Sequence, residues 1–197
     1  MDLFKVYPLL DVELESGKGV FVFDKNGQKY LDFYGGHAVI SVGHAHPYYI
    51  KALNEQLEKL VFYSNSVHLE IQQKLAQKLG QISGYANYNL FLINSGAEAN
   101  ENALKLASFY NKRKKVIAFS GAFHGRTAAA VAVTDNPKIK PAINPDDHVI
   151  FLPFNDNVAL EKTFKEQGNE ICAVIVEPIQ GVNGIYEASA SFLEKIQ

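Results

Sequence analysis

The sequence predicts an α/β fold: a mainly parallel sheet flanked by helices, preceded by an N-terminal arm and a small β-containing segment. Two observations predict it. From residue 88 onward, short apolar runs alternate with stretches of helical period, and strands that read as continuous apolar runs belong to sheets covered on both faces. The composition is globular as well: 197 residues, 47% apolar and 20% charged, with net charge −2, large enough for a substantial core.

Each element has its own signal. Residues 1–36 read as a short arm followed by β structure, and Asn26-Gly27 between the runs 19–23 and 28–33 signals a hairpin turn. Gly35-Gly36-His37 and Gly43-His44-Ala45-His46-Pro47 are expected loops. From Pro47 the period changes. Ile50, Leu53, Leu57, Leu60 and Val61 mark one amphipathic helix. Ile71, Leu75 and Leu79 mark a second over 68–79, facing inward, with Gly80 as its stop. The βα alternation follows: strand 88–93 and helix 97–113, strand 116–119 and a helix near 127–133, strand 148–152 and helix 157–165. Strand 171–177 and a helix from near Ser189 complete it. Residues 136–147, with three prolines, read as a surface connection.

The turn between the first strand and helix of this run is the richest stretch. Ser95 and Glu98 fit the S-x-x-E capping box, so the helix is expected to start at Ser95, with Ala99, Ala103, Leu104, Leu106 and Ala107 at helical spacing behind it. A strand that turns through Ser95-Gly96-Ala97 into a helix leaves free N–H groups at a positive dipole end. That is a place for an anion, most often a phosphate. The same motif also suits an ordinary capped helix.

In open α/β sheets, ligands bind beyond the carboxyl ends of the strands. Three loops fall there: Ser95-Gly96-Ala97, the segment Ser120-Gly121-Ala122-Phe123-His124-Gly125-Arg126-Thr127, and Glu177-Pro178-Ile179-Gln180-Gly181. Arg126 can grip a carboxylate through a bidentate pair. Phe123 can stack on a flat ring. Glu177 ends a buried strand and needs a partner there. Taken singly, each has a plainer reading: Phe123 as core, Arg126 as a surface ion pair, His124 as a hydrogen-bonded loop residue, Glu177 as a strand-end charge facing water. The joint placement of the loops on one edge favours a site.

Other classes fit less well. The near-neutral charge offers no basic stripe for nucleic acid. Cys172 sits in an apolar run and reads as a strand residue, and a single cysteine permits no disulfide framework. His44 and His46 form an H-x-H pair without a third ligand nearby in sequence, so no metal is expected. The N-terminus carries no signal-peptide pattern and no apolar run approaches membrane-spanning length, so the expected location is cytoplasmic. No G-x-G-x-x-G follows the first strand of the βα run, against a Rossmann oxidoreductase.

Five stretches carry a resemblance: Tyr30-Leu31-Asp32-Phe33, Gly43-His44-Ala45-His46-Pro47, residues 94–107, Ala122-Phe123-His124-Gly125-Arg126-Thr127 and Glu177-Pro178-Ile179-Gln180-Gly181. In these the chain resembles the class III, pyridoxal-phosphate-dependent aminotransferases of fold type I, most of all the acetylornithine type. The resemblance spans about residues 11–185. It implies an aminotransferase that moves the amino group of an N-acylated ornithine to 2-oxoglutarate through pyridoxal 5'-phosphate, in arginine biosynthesis, as a homodimer. It implies cofactor contacts from Ser95, Gly96, Ala97, Phe123, His124 and Glu177. Gly96 and Ala97 would donate N–H groups to the phosphate, Phe123 would lie on the ring, and Arg126 would take the substrate carboxylate. Other class III enzymes (ornithine or 4-aminobutyrate aminotransferases, glutamate-semialdehyde aminomutases) stay open, as does a non-catalytic binding fragment.

On the same resemblance, residues 1–65 form the N-terminal arm and small-domain segment, and 66–197 the first part of the large cofactor-binding domain. Family members continue to an Asp that pairs the pyridine nitrogen and to the Schiff-base Lys. Neither motif appears before Gln197, so no catalytic residue is expected in this chain and activity is assigned to its parent protein. Two departures stand out. Val182-Asn183 occupies the place where many relatives carry a Glu that helps one site accept two substrates. His37 stands where relatives usually carry an apolar residue, and would alter the substrate pocket.

Overall fold

A computed structural model describes residues 1–4, 6–64 and 66–197. Lys5 and Asn65, the latter the last residue of the expected N-terminal segment, lie outside the described residues. The chain divides into two compact units, Met1–Asn87 and Tyr88–Gln197.

The first unit holds an antiparallel sheet of β1 (Leu14–Lys18), β2 (Phe21–Asp24) and β3 (Lys29–Leu31), in that order. The expected hairpin is β2–β3. Its turn is closed by the Asp24 carboxylate, which accepts the N–H groups of Asn26 and Gln28, both at 2.9 Å, and Gly27 takes φ +78°. A single turn, α1 (Gly35–Ala38), follows, left-handed at Gly36 and His37. Asp32 anchors it: its carboxylate accepts from Tyr34 N and Gly35 N at 2.9 and 2.8 Å and meets His44 Nε2 at 2.7 Å. His44 is thus committed to a carboxylate. The His44 hydrogen bond, with help from the two N–H groups, holds the Asp32 carboxyl below its usual range. His37 lies 2.6 Å from the Tyr34 hydroxyl through Nδ1.

Helix α2 (Pro47–Leu57) opens on Pro47, which fits a first helical position. It stops short of Leu60 and Val61. Helix α3 (Glu70–Ser83) runs past the expected stop. Gly80 lies inside α3, where a Cβ would come 3.0 Å from Ala86 Cα, so glycine there admits the returning chain. The stop is Gly84, a left-handed cap at φ +79°. The apolar faces of α2 and α3, including Leu53 and Ile71, remain exposed rather than inward, because no element covers them among the described residues.

The second unit contains α4 (Gly96–Asn111), β4 (Lys115–Phe119), α5 (Ala128–Ala132), β5 (Val149–Leu152), α6 (Asn157–Gln167), β6 (Ile171–Val174), β7 (Ile179–Gln180), β8 (Tyr186–Glu187) and α7 (Ala190–Ile196). One turn of 3₁₀ helix, Pro137–Ile139, breaks the connection before β5. The sheet order is β5-β4-β6, all parallel. Strand β4 alternates between two cores. Ile117 and Phe119 join Leu152, Leu160, Ile171 and Phe192 on the α6–α7 side. Val116 and Ala118 join Leu104 and Val133 on the α4–α5 side. Phe192 packs edge-on against Phe119 and Phe154, with centroids 5.0 and 5.6 Å away. Burial on both faces is what an apolar parallel strand demands.

Two expected strands change. Residues 88–93 form none: a strand exists only by pairing, and among the described residues no strand pairs with this stretch. Tyr88 and Phe91 are each 71% exposed. The expected strand 171–177 ends at Val174, with one further bond to β4 from Ile175 N to Ile117 O at 2.9 Å, leaving Glu177 in the loop beyond. The β7–β8 ribbon after that loop had no sequence signal of its own. No helix of the described residues is long and apolar enough to cross a membrane.

Candidate active site

The site is built where β4 and α4 meet the loop between β4 and α5. Ser95 caps α4 as expected. Its Oγ accepts from Glu98 N at 3.1 Å, and the Glu98 carboxylate turns back to Asn94 N at 3.0 Å. This reciprocal cap leaves over the N–H groups of Gly96 and Ala97. A Cβ built on Gly96 would meet nothing within 4 Å, so the helix start is open to a ligand.

The loop 120–127 runs past this helix start. Gly125 adopts φ +133°, and a Cβ there would fall 2.6 Å from Ala97 Cβ. Only glycine combines that backbone with that approach. Asn100 Nδ2 donates to His124 O at 2.8 Å, tying α4 to the loop a second time. The result is a cleft of about 600 Å³ lined by Ser95, Gly96, Ala97, Asn100, Phe123, His124, Gly125, Arg126 and Thr127. Six of the seven residues singled out from the sequence therefore share one cleft. No lysine is among its lining.

Glu177 is the seventh. It lies outside the cleft lining, half-buried, and its Oε1 accepts the backbone N–H of Phe123 at 2.7 Å. That bond is the partner the carboxylate needed. Glu177 thereby holds the ring-bearing residue from behind. The third loop is fastened again by Gln180, 1% exposed, whose Nε2 donates to Ser120 O at 2.9 Å. Asn183 Nδ2 donates to Gln180 Oε1 at 3.0 Å, while Val182 points to solvent, 75% exposed.

His124 is 6% exposed. Its N–H donates to Thr134 Oγ1 at 2.9 Å, but Nε2 is buried without a hydrogen-bond partner. Burial alone pulls its pKa down to about 4, so the ring is neutral at pH 7. Its backbone does the visible bonding, and Nε2 is closed off from solvent.

Sequence reasoning missed Asn100, Glu101 and Thr127. The Glu101 carboxylate accepts from Thr127 Oγ1 at 2.7 Å, Ala129 N at 2.8 Å and Ala130 N at 3.1 Å. Burial pushes its carboxyl up, but these three hydrogen bonds outweigh that and hold it below the usual value. A signal existed: Ala97, Asn100 and Glu101 stand at i, i+3 and i+4, on one face of α4.

An open helix start, a half-buried phenyl ring and a guanidinium on one cleft are suited to a phosphorylated planar group and a carboxylate. The aminotransferase class-III family model matches residues 5–197. The chain is 41% identical to the acetylornithine aminotransferase of Archaeoglobus fulgidus, over 99% of this chain and 51% of that one. The ornithine aminotransferase of Toxoplasma gondii superposes with a TM-score of 0.89 at 30% identity, over 98% of this chain and 47% of that one. The N-acetylornithine aminotransferase of Stenotrophomonas maltophilia gives 0.78 at 33%, over 98% and 48%. The chain spans about half the length of these relatives. It belongs to the class-III aminotransferases, pyridoxal-phosphate enzymes of fold type I.

Proposed function

We propose that the whole protein transfers the amino group of an N-acylated ornithine, of the acetylornithine type, to 2-oxoglutarate, as a cytoplasmic homodimer in arginine biosynthesis. The observation that supports it most is the shared cleft of the α4 start, Phe123 and Arg126. On this reading Gly96 and Ala97 donate to the cofactor phosphate, beside the Ser95 cap. Phe123 lies on the pyridine ring, held by Glu177, and His124 closes the cleft behind it. Arg126 takes the substrate carboxylate. Bound pyridoxal phosphate supplies the electron sink. The chain's own residues bind, orient and exclude water. Residues 66–197 would then be the first part of the cofactor-binding domain, and 1–65 the arm and small-domain segment.

The test is a half-reaction comparison on the whole protein. N-acetylornithine, N-succinylornithine, ornithine and 4-aminobutyrate are each mixed with the yellow holoenzyme and the loss of cofactor absorbance is followed. Acylated ornithines are expected to react fastest. Faster turnover of free ornithine or 4-aminobutyrate would replace this reading by the neighbouring class III one.

A further inference from the structure

We propose that Glu101 is a positioning residue for substrate binding: from α4, its carboxylate fixes the first turn of α5 and so holds Arg126 in place beside the α4 N-terminus. The proposal rests on Arg126 being the carboxylate grip. Helix α5 has only five residues, and its N-cap Thr127 makes no cap hydrogen bond of its own. Its first N–H groups still need acceptors. Glu101 supplies them, at 2.8 and 3.1 Å, and takes the Thr127 hydroxyl as well. The cap therefore comes from another helix, not from the local chain.

Arg126 sits between two fastenings of the loop to α4. On one side are Gly125 against Ala97 and His124 O on Asn100. On the other are Thr127, Ala129 and Ala130 on Glu101. Residue 126 has little room to shift while both hold. Phe123 is fixed separately, by Glu177 on its N–H. The two fasteners act on different residues, so the structure separates them: loss of Glu101 loosens Arg126 and spares Phe123.

The test uses the whole protein loaded with pyridoxal phosphate, with N-acetylornithine as substrate. Glu101→Ala is expected to raise KM on the order of tenfold, with cofactor retention after dialysis within about twofold of the parent, since charge-assisted contacts dominate such losses. Glu101→Gln keeps one amide oxygen for the N–H groups and is expected to recover most of the KM. Amide exchange at Ala129 and Ala130 should speed up in Glu101→Ala. In an Arg126→Ala background, Glu101→Ala should add no further rise in KM, because the residue it positions is gone. Should Glu101→Ala not fold, Thr127→Val, which deletes one donor, should give the same pattern more weakly. Additive effects in the double variant, or cofactor loss in step with KM, would overturn the proposal while leaving Arg126 as the grip. An unchanged KM in Arg126→Ala would overturn both.

Discussion

At the scale of single residues, the site separates into groups that touch ligand and groups that hold them. Arg126 and Phe123 differ in what their loss should do. A hydrogen bond to a charged group is worth roughly 1.5–3 kcal/mol, so Arg126→Ala should lower kcat/KM for the acylornithine by about ten- to a hundredfold or more and spare the cofactor. Lys in its place should recover part, keeping charge without the fork. Phe123→Ala should release cofactor on dialysis instead. Half-reaction kinetics paired with absorbance after dialysis check both, and cofactor loss from Arg126→Ala with an intact kcat/KM would remove the grip assignment. His124 gives a pH signature. The unfolded chain protonates it near pH 6.5, while the folded chain keeps it neutral down to about 4. Stability should therefore decline as pH falls across that window, by up to about 3 kcal/mol, and level off below it. His124→Gln should flatten that stretch of a urea-midpoint profile. A His124→Gln profile identical to the parent's would show that the ring titrates freely. The pairing of Ser95 with Glu98 was legible from sequence because both partners are three residues apart. The place of Glu101 on one α4 face with Ala97 and Asn100 was legible too, but not its partners, since they are donors 26 to 29 residues away.

At the scale of elements, the contact between α4 and the 120–127 loop decides the cleft. It depends on a glycine where a side chain would collide. Gly125→Ala adds a Cβ 2.6 Å from Ala97 Cβ and 3.1 Å from Ala130 Cβ, on a backbone that L residues rarely adopt. Strain and overpacking should together cost about 2 kcal/mol or more, and the loop should move off α4. Urea midpoints should fall, and cofactor affinity should weaken with them. A neutral Gly125→Ala would mean the loop has room to spare. The helices and β4 to β6 were legible because their periods are local, and Ile117 and Phe119 against Val116 and Ala118 show the strand alternation directly. The strand expected at 88–93 was not realised, because apolar character supplies only half of a strand and a paired neighbour supplies the other half.

At the scale of the whole chain, the two units differ in how they are held. The second closes a core on both faces of a three-stranded sheet. The first leaves α2 and α3 without a buried residue, although both are amphipathic in sequence. Hydrophobic faces of that kind contribute to stability only when covered, at about 25 cal/mol per Å² removed from water. Six of the seven site residues inferred from sequence line a cleft confined to the second unit, and the seventh supports one of them.

The sequence by itself determined what depends on near neighbours: the capped start of α4, the hairpin at Asn26-Gly27, the parallel βα order and the residue types gathered at one sheet edge. It could do so because capping, turn chemistry and hydrophobic period are set within a few residues. Tertiary structure decided which groups bond across the chain: Glu177 to Phe123, Asn100 to His124, and Glu101 to the start of α5. Those partners lie 54, 24 and 28 residues apart, and their meeting depends on how helices and loops pack. A buried carboxylate announces that it needs a donor, but only packing chooses which one it receives.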